Sequence, residues 1–156
     1  MRFSIYTLKK KDLGSFEEKL PKYVFDNCEK KGFFTIGAVG SDGNLIGVTQ
    51  FYIGILKDNE FISDIIYVYV KEEYRRNGAA GRMLWKSHNI IKKSGVKKSL
   101  VFLKDNLNEK MYIKEFFENN GYLFMKVENG IINEIFDFPK KITSRKIEQG
   151  VCWVDI

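Results

Sequence analysis

Between Ile65 and Gly81 the chain changes character three times. An apolar run, Ile65-Ile66-Tyr67-Val68-Tyr69-Val70, breaks into a charged turn, Lys71-Glu72-Glu73-Tyr74-Arg75-Arg76. The small residues Asn77-Gly78-Ala79-Ala80-Gly81 then open a helical pattern. A strand that feeds a helix through such a turn presents the helix's first N–H groups, which have no partner inside the helix. Small side chains let a ligand approach that backbone, and two arginines add fixed positive charge with forked donors suited to phosphate. The turn is therefore read as an anion cradle. No Gly-Lys-Ser/Thr ends it, which excludes a Walker A loop, and Gly-x-Gly-x-x-Gly is missing, which excludes a dinucleotide fingerprint.

The rest of the chain limits what can surround this cradle. With 156 residues, 44% hydrophobic and 29% charged, it has the size and balance of one globular domain with a sizeable core. Aromatic residues make up 15%, which suits strands. The apolar runs are too short to span a bilayer, and Met1-Arg-Phe-Ser-Ile-Tyr lacks the apolar stretch of a signal peptide. Cys28 and Cys152 lie far apart and form no Cys-x-x-Cys, so a reduced, cytoplasmic protein is the expectation. The net charge of +6 favours an anionic ligand, coenzyme or nucleic acid. The basic knots Lys9-Lys10-Lys11 and Lys140-Lys141 read as solvated faces.

Periodicity divides the chain into alternating elements. Phe3–Leu8 reads as a strand. Residues 10 to 31 read as two short helices broken at Pro21. Phe33–Val39 and Leu45–Ile55 form a hairpin around Ser41-Asp42-Gly43-Asn44. Glu60–Val70 is the next strand, Gly78–Ser94 a helix closed by Gly95, and Lys98–Leu103 a strand. Asn108–Asn120 is a helix, and Tyr122–Val127 with Ile131–Phe138 a last hairpin around Asn129-Gly130. A tail follows from Pro139, with the apolar finish Val151-Cys-Trp-Val-Asp-Ile156.

Two segments carry a family resemblance. Arg75-Arg76-Asn77-Gly78-Ala79-Ala80 resembles motif A of the GNAT acetyltransferase superfamily, Arg/Gln-x-x-Gly-x-Gly/Ala. Its lead-in Val70-Lys71-Glu72-Glu73-Tyr74 is similar to the family's Val-x-Pro-Glu-Tyr, with Glu72 at the usual proline. Phe116-Phe117-Glu118-Asn119-Asn120-Gly121-Tyr122 is similar to motif B, Phe-Tyr-x-x-x-Gly-Phe. The order read from periodicity, β-αα-βββ-α-β-α-ββ, is the family's order. The resemblance implies an α/β (α+β) GNAT fold over residues 1–138. Its mixed, mostly antiparallel sheet would have about seven strands, with four helices and a splay between strands four and five. The tail 139–156 would pack on the domain or on a second subunit of a homodimer.

The resemblance also implies acetyl-coenzyme A as cosubstrate, a primary amine as acceptor, and direct attack in a ternary complex. Backbone N–H groups of Arg76, Asn77, Gly78, Ala79, Ala80 and Gly81, aided by the Arg75 and Arg76 side chains, would hold the pyrophosphate. The Val70 backbone would pair with pantetheine, and the Val68 N–H would polarise the acetyl carbonyl. Asn108 falls near the family's coenzyme-contacting asparagine, at a longer spacing. Asp64 falls where several members keep a general base; Glu60 and a water chain are the alternatives. Phe117 stands where many members have a proton-donating tyrosine, leaving Tyr112, Tyr67, Tyr69 or water to protonate the leaving thiolate. Acceptor-side candidates are Phe25, Phe33, Tyr67, Glu128, Glu134 and Asp137.

The leading expectation is thus an N-acetyltransferase for an amine on a small molecule or protein. Phe117 keeps open a non-catalytic acyl-coenzyme A sensor; the +6 charge permits an RNA-directed (aminoacyl-tRNA) enzyme but does not ask for a nucleic-acid partner, since no basic stripe with interleaved aromatics is evident along the sequence. A single histidine, His88, and two distant cysteines build no ordinary zinc site, so no metal is expected. No membrane partner is expected.

Overall fold

The computed structural model describes residues 1–16, 19–55, 61–103, 114–126 and 150–155. Seven strands form one sheet: β1 (Phe3–Thr7), β2 (Phe33–Gly40), β3 (Leu45–Ile55), β4 (Phe61–Val70), β5 (Lys98–Leu103), β6 (Leu123–Lys126) and β7 (Gly150–Asp155). Their order in the sheet is β1-β2-β3-β4-β5-β7-β6. Every pairing is antiparallel except that of β4 with β5. Among the described residues there are three α-helices, α1 (Lys22–Asn27), α2 (Ala79–Lys93) and α3 (114–119), rather than the four expected. The first expected helix is a 3-10 segment, Lys10–Phe16. It contains Gly14, and a glycine inside a helix weakens α-turns. The Asp12 carboxylate accepts the Lys9 N–H at 2.7 Å and closes the turn over three residues. Pro21 sits at the N-terminal cap of α1, so the expected break falls there.

The two faces of the sheet bury different cores. On one face α2 packs Met83, Leu84 and Ile91 against Ile36, Ile46, Phe51, Ile65 and Val70, and α3 adds Phe117. Gly47 on β3 admits this approach, since a Cβ there would meet the Met83 side chain at 3.0 Å. On the other face the 3-10 segment and α1 bring Leu13, Phe16, Leu20 and Val24 onto Leu45 and Val48. A buried polar network pins α1 in place. Gln50 of β3, fully buried, donates to the Val24 carbonyl (2.8 Å) and to Thr35 Oγ1 (3.1 Å), and accepts from Asn27 (3.2 Å).

The chain's apolar finish joins the sheet. β7 lies between β5 and β6, pairing Leu100 with Trp153 on one side and Leu123 with Trp153 on the other. The expected hairpin partner Ile131–Phe138 lies outside the described residues, as do Asn108, Glu60, Tyr112, Glu128, Glu134 and Asp137. No helix among the described residues is long and apolar enough to cross a membrane.

Candidate active site: a phosphate turn beside a splayed strand pair

The sheet opens between β4 and β5. Their ladder consists of Ser63↔Ser99 and Asp64↔Leu100, whereas β4 stays paired with β3 as far as Val70↔Gly47. The parting has a local cause. Gln50 pairs with Tyr67 and Phe51 with Ile65, so Ile66 is an extra residue in β4. A bulge bends its strand and increases the twist, and this one falls two residues after the last contact with β5.

The bulge also resets which side chains face which way. Ile65, Val68 and Val70 lie against the α2 core, while Tyr67 and Tyr69 join the core under α1. Alternation places Asp64, next to Ile65, on the α1 face with the two tyrosines. The backbone of β4 alternates as well. The Lys71 N–H bonds the Ile46 carbonyl of the β3 side at 2.9 Å, whereas the Val70 carbonyl accepts Arg75 Nε at 2.9 Å. Val70 and, two residues back, Val68 therefore turn their backbone groups away from β3 and into the splay.

The phosphate turn closes the open end of this splay. Glu72–Tyr74 makes one 3-10 turn, Arg75 is extended, and Arg76 (φ 61°) and Gly78 (φ 81°) take the left-handed conformation. Gly78 is the N-cap of α2, and among the described residues no side-chain cap hydrogen bond closes the helix start. Glycine at 78 is required by its backbone angle, because a Cβ there would meet nothing within 4 Å. Arg75 is held, with its guanidinium 5.9 Å from the Tyr69 ring centroid, and Arg76 is exposed. Asn77 donates to the carbonyls of Tyr74 (3.3 Å) and Arg75 (3.1 Å), so its side chain shapes the turn. The α2 dipole, the free cap and these arginines point positive potential at one spot.

Residues 2–122 match the model of the acetyltransferase (GNAT) family. The chain belongs to the GNAT acetyltransferase family. Among solved structures it is similar to a GNAT-family acetyltransferase from Staphylococcus aureus Mu50, at 16% identity over 99% of each chain with a TM-score of 0.66. It is also similar to an IAA acetyltransferase from Bacillus cereus ATCC 14579, at 12% identity over 99% of this chain and 100% of that one, TM-score 0.69. The PaiA N-acetyltransferase from Thermoplasma acidophilum, solved in complex with coenzyme A, is 13% identical over 100% of both chains, TM-score 0.65. No curated protein matches by sequence.

Several expected GNAT positions come together and one departs. Val68, Val70 and the segment Arg75 to Gly81 line one continuous edge, from the splay to the α2 N-terminus. Asp64 sits where the splay begins, half-buried on the α1 face. Phe117 faces the α2 core at 1% exposure, its ring 4.9 Å from that of Tyr122. The lone histidine is a core partner. His88 Nε2 is hydrogen-bonded to the Tyr122 hydroxyl at 2.6 Å, which also meets Ser99 Oγ at 2.8 Å. Burial lowers the His88 pKa, so its ring is neutral at pH 7. Beside Ser99, Ser63 keeps a buried hydroxyl with no partner among the described residues.

Sequence reading missed Tyr23 of α1, whose ring meets that of Tyr67 edge-on at 6.4 Å. It also missed Gln50, which sets α1 over β4. Neither belongs to a motif. A signal was present in Asn27 and Gln50, two amides inside otherwise apolar patterns.

Proposed function

We propose that this protein transfers the acetyl group of acetyl-coenzyme A to a primary amine. The observation that carries the reading is the alignment of two features on one edge: the uncapped, arginine-flanked N-terminus of α2, and the β4 backbone turned into the splay. A ligand combining a pyrophosphate with an extended amide chain fits that edge. The α2 N–H groups hold the phosphates, and the pantetheine amides pair with Val70. The acetyl carbonyl then lies at the Val68 N–H, which stabilises the oxyanion formed on attack.

The chemistry is a direct displacement. Asp64 takes a proton from the ammonium, the neutral amine adds to the thioester carbon, and the tetrahedral intermediate loses its second nitrogen proton to solvent and collapses to the amide with loss of coenzyme A thiolate. Phe117 has no proton to give, so solvent protonates the thiolate, whose basicity is modest. Calorimetric titration with acetyl-coenzyme A tests the reading. Binding that weakens greatly when the pyrophosphate arm is removed supports it, and no binding at millimolar coenzyme overturns it.

The buried Phe117 supports a second reading, a module that holds acyl-coenzyme A without turnover. Transfer of labelled acetyl to any amine excludes it.

A further inference from the structure

We infer that the outward face of α2 binds single-stranded RNA, with Trp85 as a stacking platform for a base and Arg82, Lys86, Lys92 and Lys93 on the phosphates. This surface is separate from the coenzyme edge. In the sequence its residues are interrupted by apolar ones, and helical winding gathers them. Arg82, Lys86, Asn89 and Lys93 recur at i, i+4, i+7 and i+11 and form one stripe, roughly 16 Å long. Trp85 and Lys92, also one heptad apart, run beside it. Gly81 and His88 mark the opposite flank: a Cβ on Gly81 would meet Asn120 Oδ1 at 3.7 Å, and His88 bonds Tyr122. Arg82 instead touches β1. Its guanidinium lies 4.7 Å from the Phe3 ring centroid and donates to the Phe3 carbonyl at 3.5 Å. The stripe therefore lies on the flank away from α3 and its acids, Glu115 and Glu118.

The face is built for an outside partner. Trp85 is 67% exposed, so most of its ring packs on nothing within the protein. No Asp or Glu occurs in α2. Among the described residues Lys86, Lys92 and Lys93 make no ion pair. Lys92 and Lys93 suit the C-terminus of a helix, but Arg82 lies in the first turn, where the helix dipole disfavours a cation. Its charge therefore answers to something other than the helix. At Arg82 a cavity of about 400 Å³ opens, with Arg2, Ser4 and Ser41 in its lining and no acid. Arginines and hydroxyls are the side chains that contact phosphate and sugar.

The occupant must combine negative charge with a flat apolar surface. An unpaired nucleotide has both: a base to lie on the indole, and phosphates to meet the cations on either side. RNA presents such bases in its loops, bulges and ends. A second copy of this chain is disfavoured, because a two-fold contact would set this face, all of one charge sign, against itself. A lipid surface requires a broader apolar face than one ring. The core of a protein interface requires several apolar anchors, and Trp85 stands alone among polar and basic neighbours.

The test is fluorescence anisotropy of a labelled oligouridylate of about twelve nucleotides, titrated with the full chain at several salt concentrations. Four phosphate contacts predict a slope of about −3 for log affinity against log salt. Trp85→Ala is expected to weaken binding about 5- to 150-fold with little change in that slope, while Trp85→Phe keeps most of the affinity. Replacing Lys92 and Lys93 together by Gln is expected to reduce the slope by about 1.4. All three positions are exposed, so these variants keep the fold, which circular dichroism checks. No binding at low salt overturns the inference, as does a Trp85→Ala variant that binds as tightly as the parent. Displacement of the RNA by saturating acetyl-coenzyme A places it on the phosphate turn and also overturns it. Polyglutamate bound as tightly, with the same dependence on Trp85, overturns it in favour of an acidic protein.

Discussion

At the scale of single residues, Gly78 and Asp64 separate binding from chemistry. Gly78 has a left-handed backbone and open space around it, so a side chain there costs strain of about 1 kcal/mol and no collision inside the protein. Gly78→Glu is expected to stay folded, with a small fall in Tm, and to bind acetyl-coenzyme A at least about 100-fold more weakly, because it sets a carboxylate at the anion cradle. Calorimetry checks this, and unchanged affinity removes the phosphate turn from the site. Asp64→Asn is expected to lower kcat by about 100-fold or more with coenzyme affinity preserved. A pH–rate profile in which the variant matches the parent moves the base elsewhere.

At the scale of elements, the Tyr122 hydroxyl ties α2 to β5. It reaches His88 on α2 and Ser99 on β5 from the residue just before β6. Burial disfavours the imidazolium, so the folded protein holds His88 below its ordinary pKa of about 6.5. As pH falls through that value the unfolded chain binds a proton that the folded one resists, so stability falls toward acid. The expected outcome is a Tm that drops by a few degrees between pH 7 and pH 5. His88→Gln, whose amide still meets the hydroxyl and does not titrate, flattens that limb. An unchanged acid slope in His88→Gln shows that another group sets it. The helix predicted between Lys10 and Pro21 illustrates the limit of periodicity at this scale. Apolar spacing marked Leu13 and Phe16 as core, and both are fully buried, yet residues 10–16, with Gly14 among them, close 3-10 turns rather than α-turns.

At the scale of the whole molecule, the C-terminal strand holds the sheet together. Among the described residues β6 pairs only with β7, which pairs with β5, so removing β7 takes away that pairing and opens the edge of β5. Deleting residues 150–156 is expected to abolish cooperative thermal unfolding by circular dichroism, or to yield insoluble protein. A truncated chain melting as sharply as the parent places the tail outside the folding unit. The family match ends at residue 122, so homology alone does not include this strand.

The sequence by itself determined the cradle and its setting. A strand, a charged turn and small residues at a helix start follow from local rules of backbone angle, donor count and periodicity, which act over a few residues and can be read in order. The same rules located six of the seven strands, α1 at Pro21, and α2 from its N-cap to Gly95. Tertiary structure alone decided the rest. One extra residue at Ile66 puts Asp64 and Tyr67 on one face, and no pattern in β4 announces it, because a bulge exists only relative to the partner's register. Gln50 fixes α1, and so Tyr23, through bonds to Val24, Asn27 and Thr35, residues 15 to 26 positions away. The place of β7 between β5 and β6 depends on pairing across some fifty residues, where the free energy lies in long-range contacts that one-dimensional periodicity does not record.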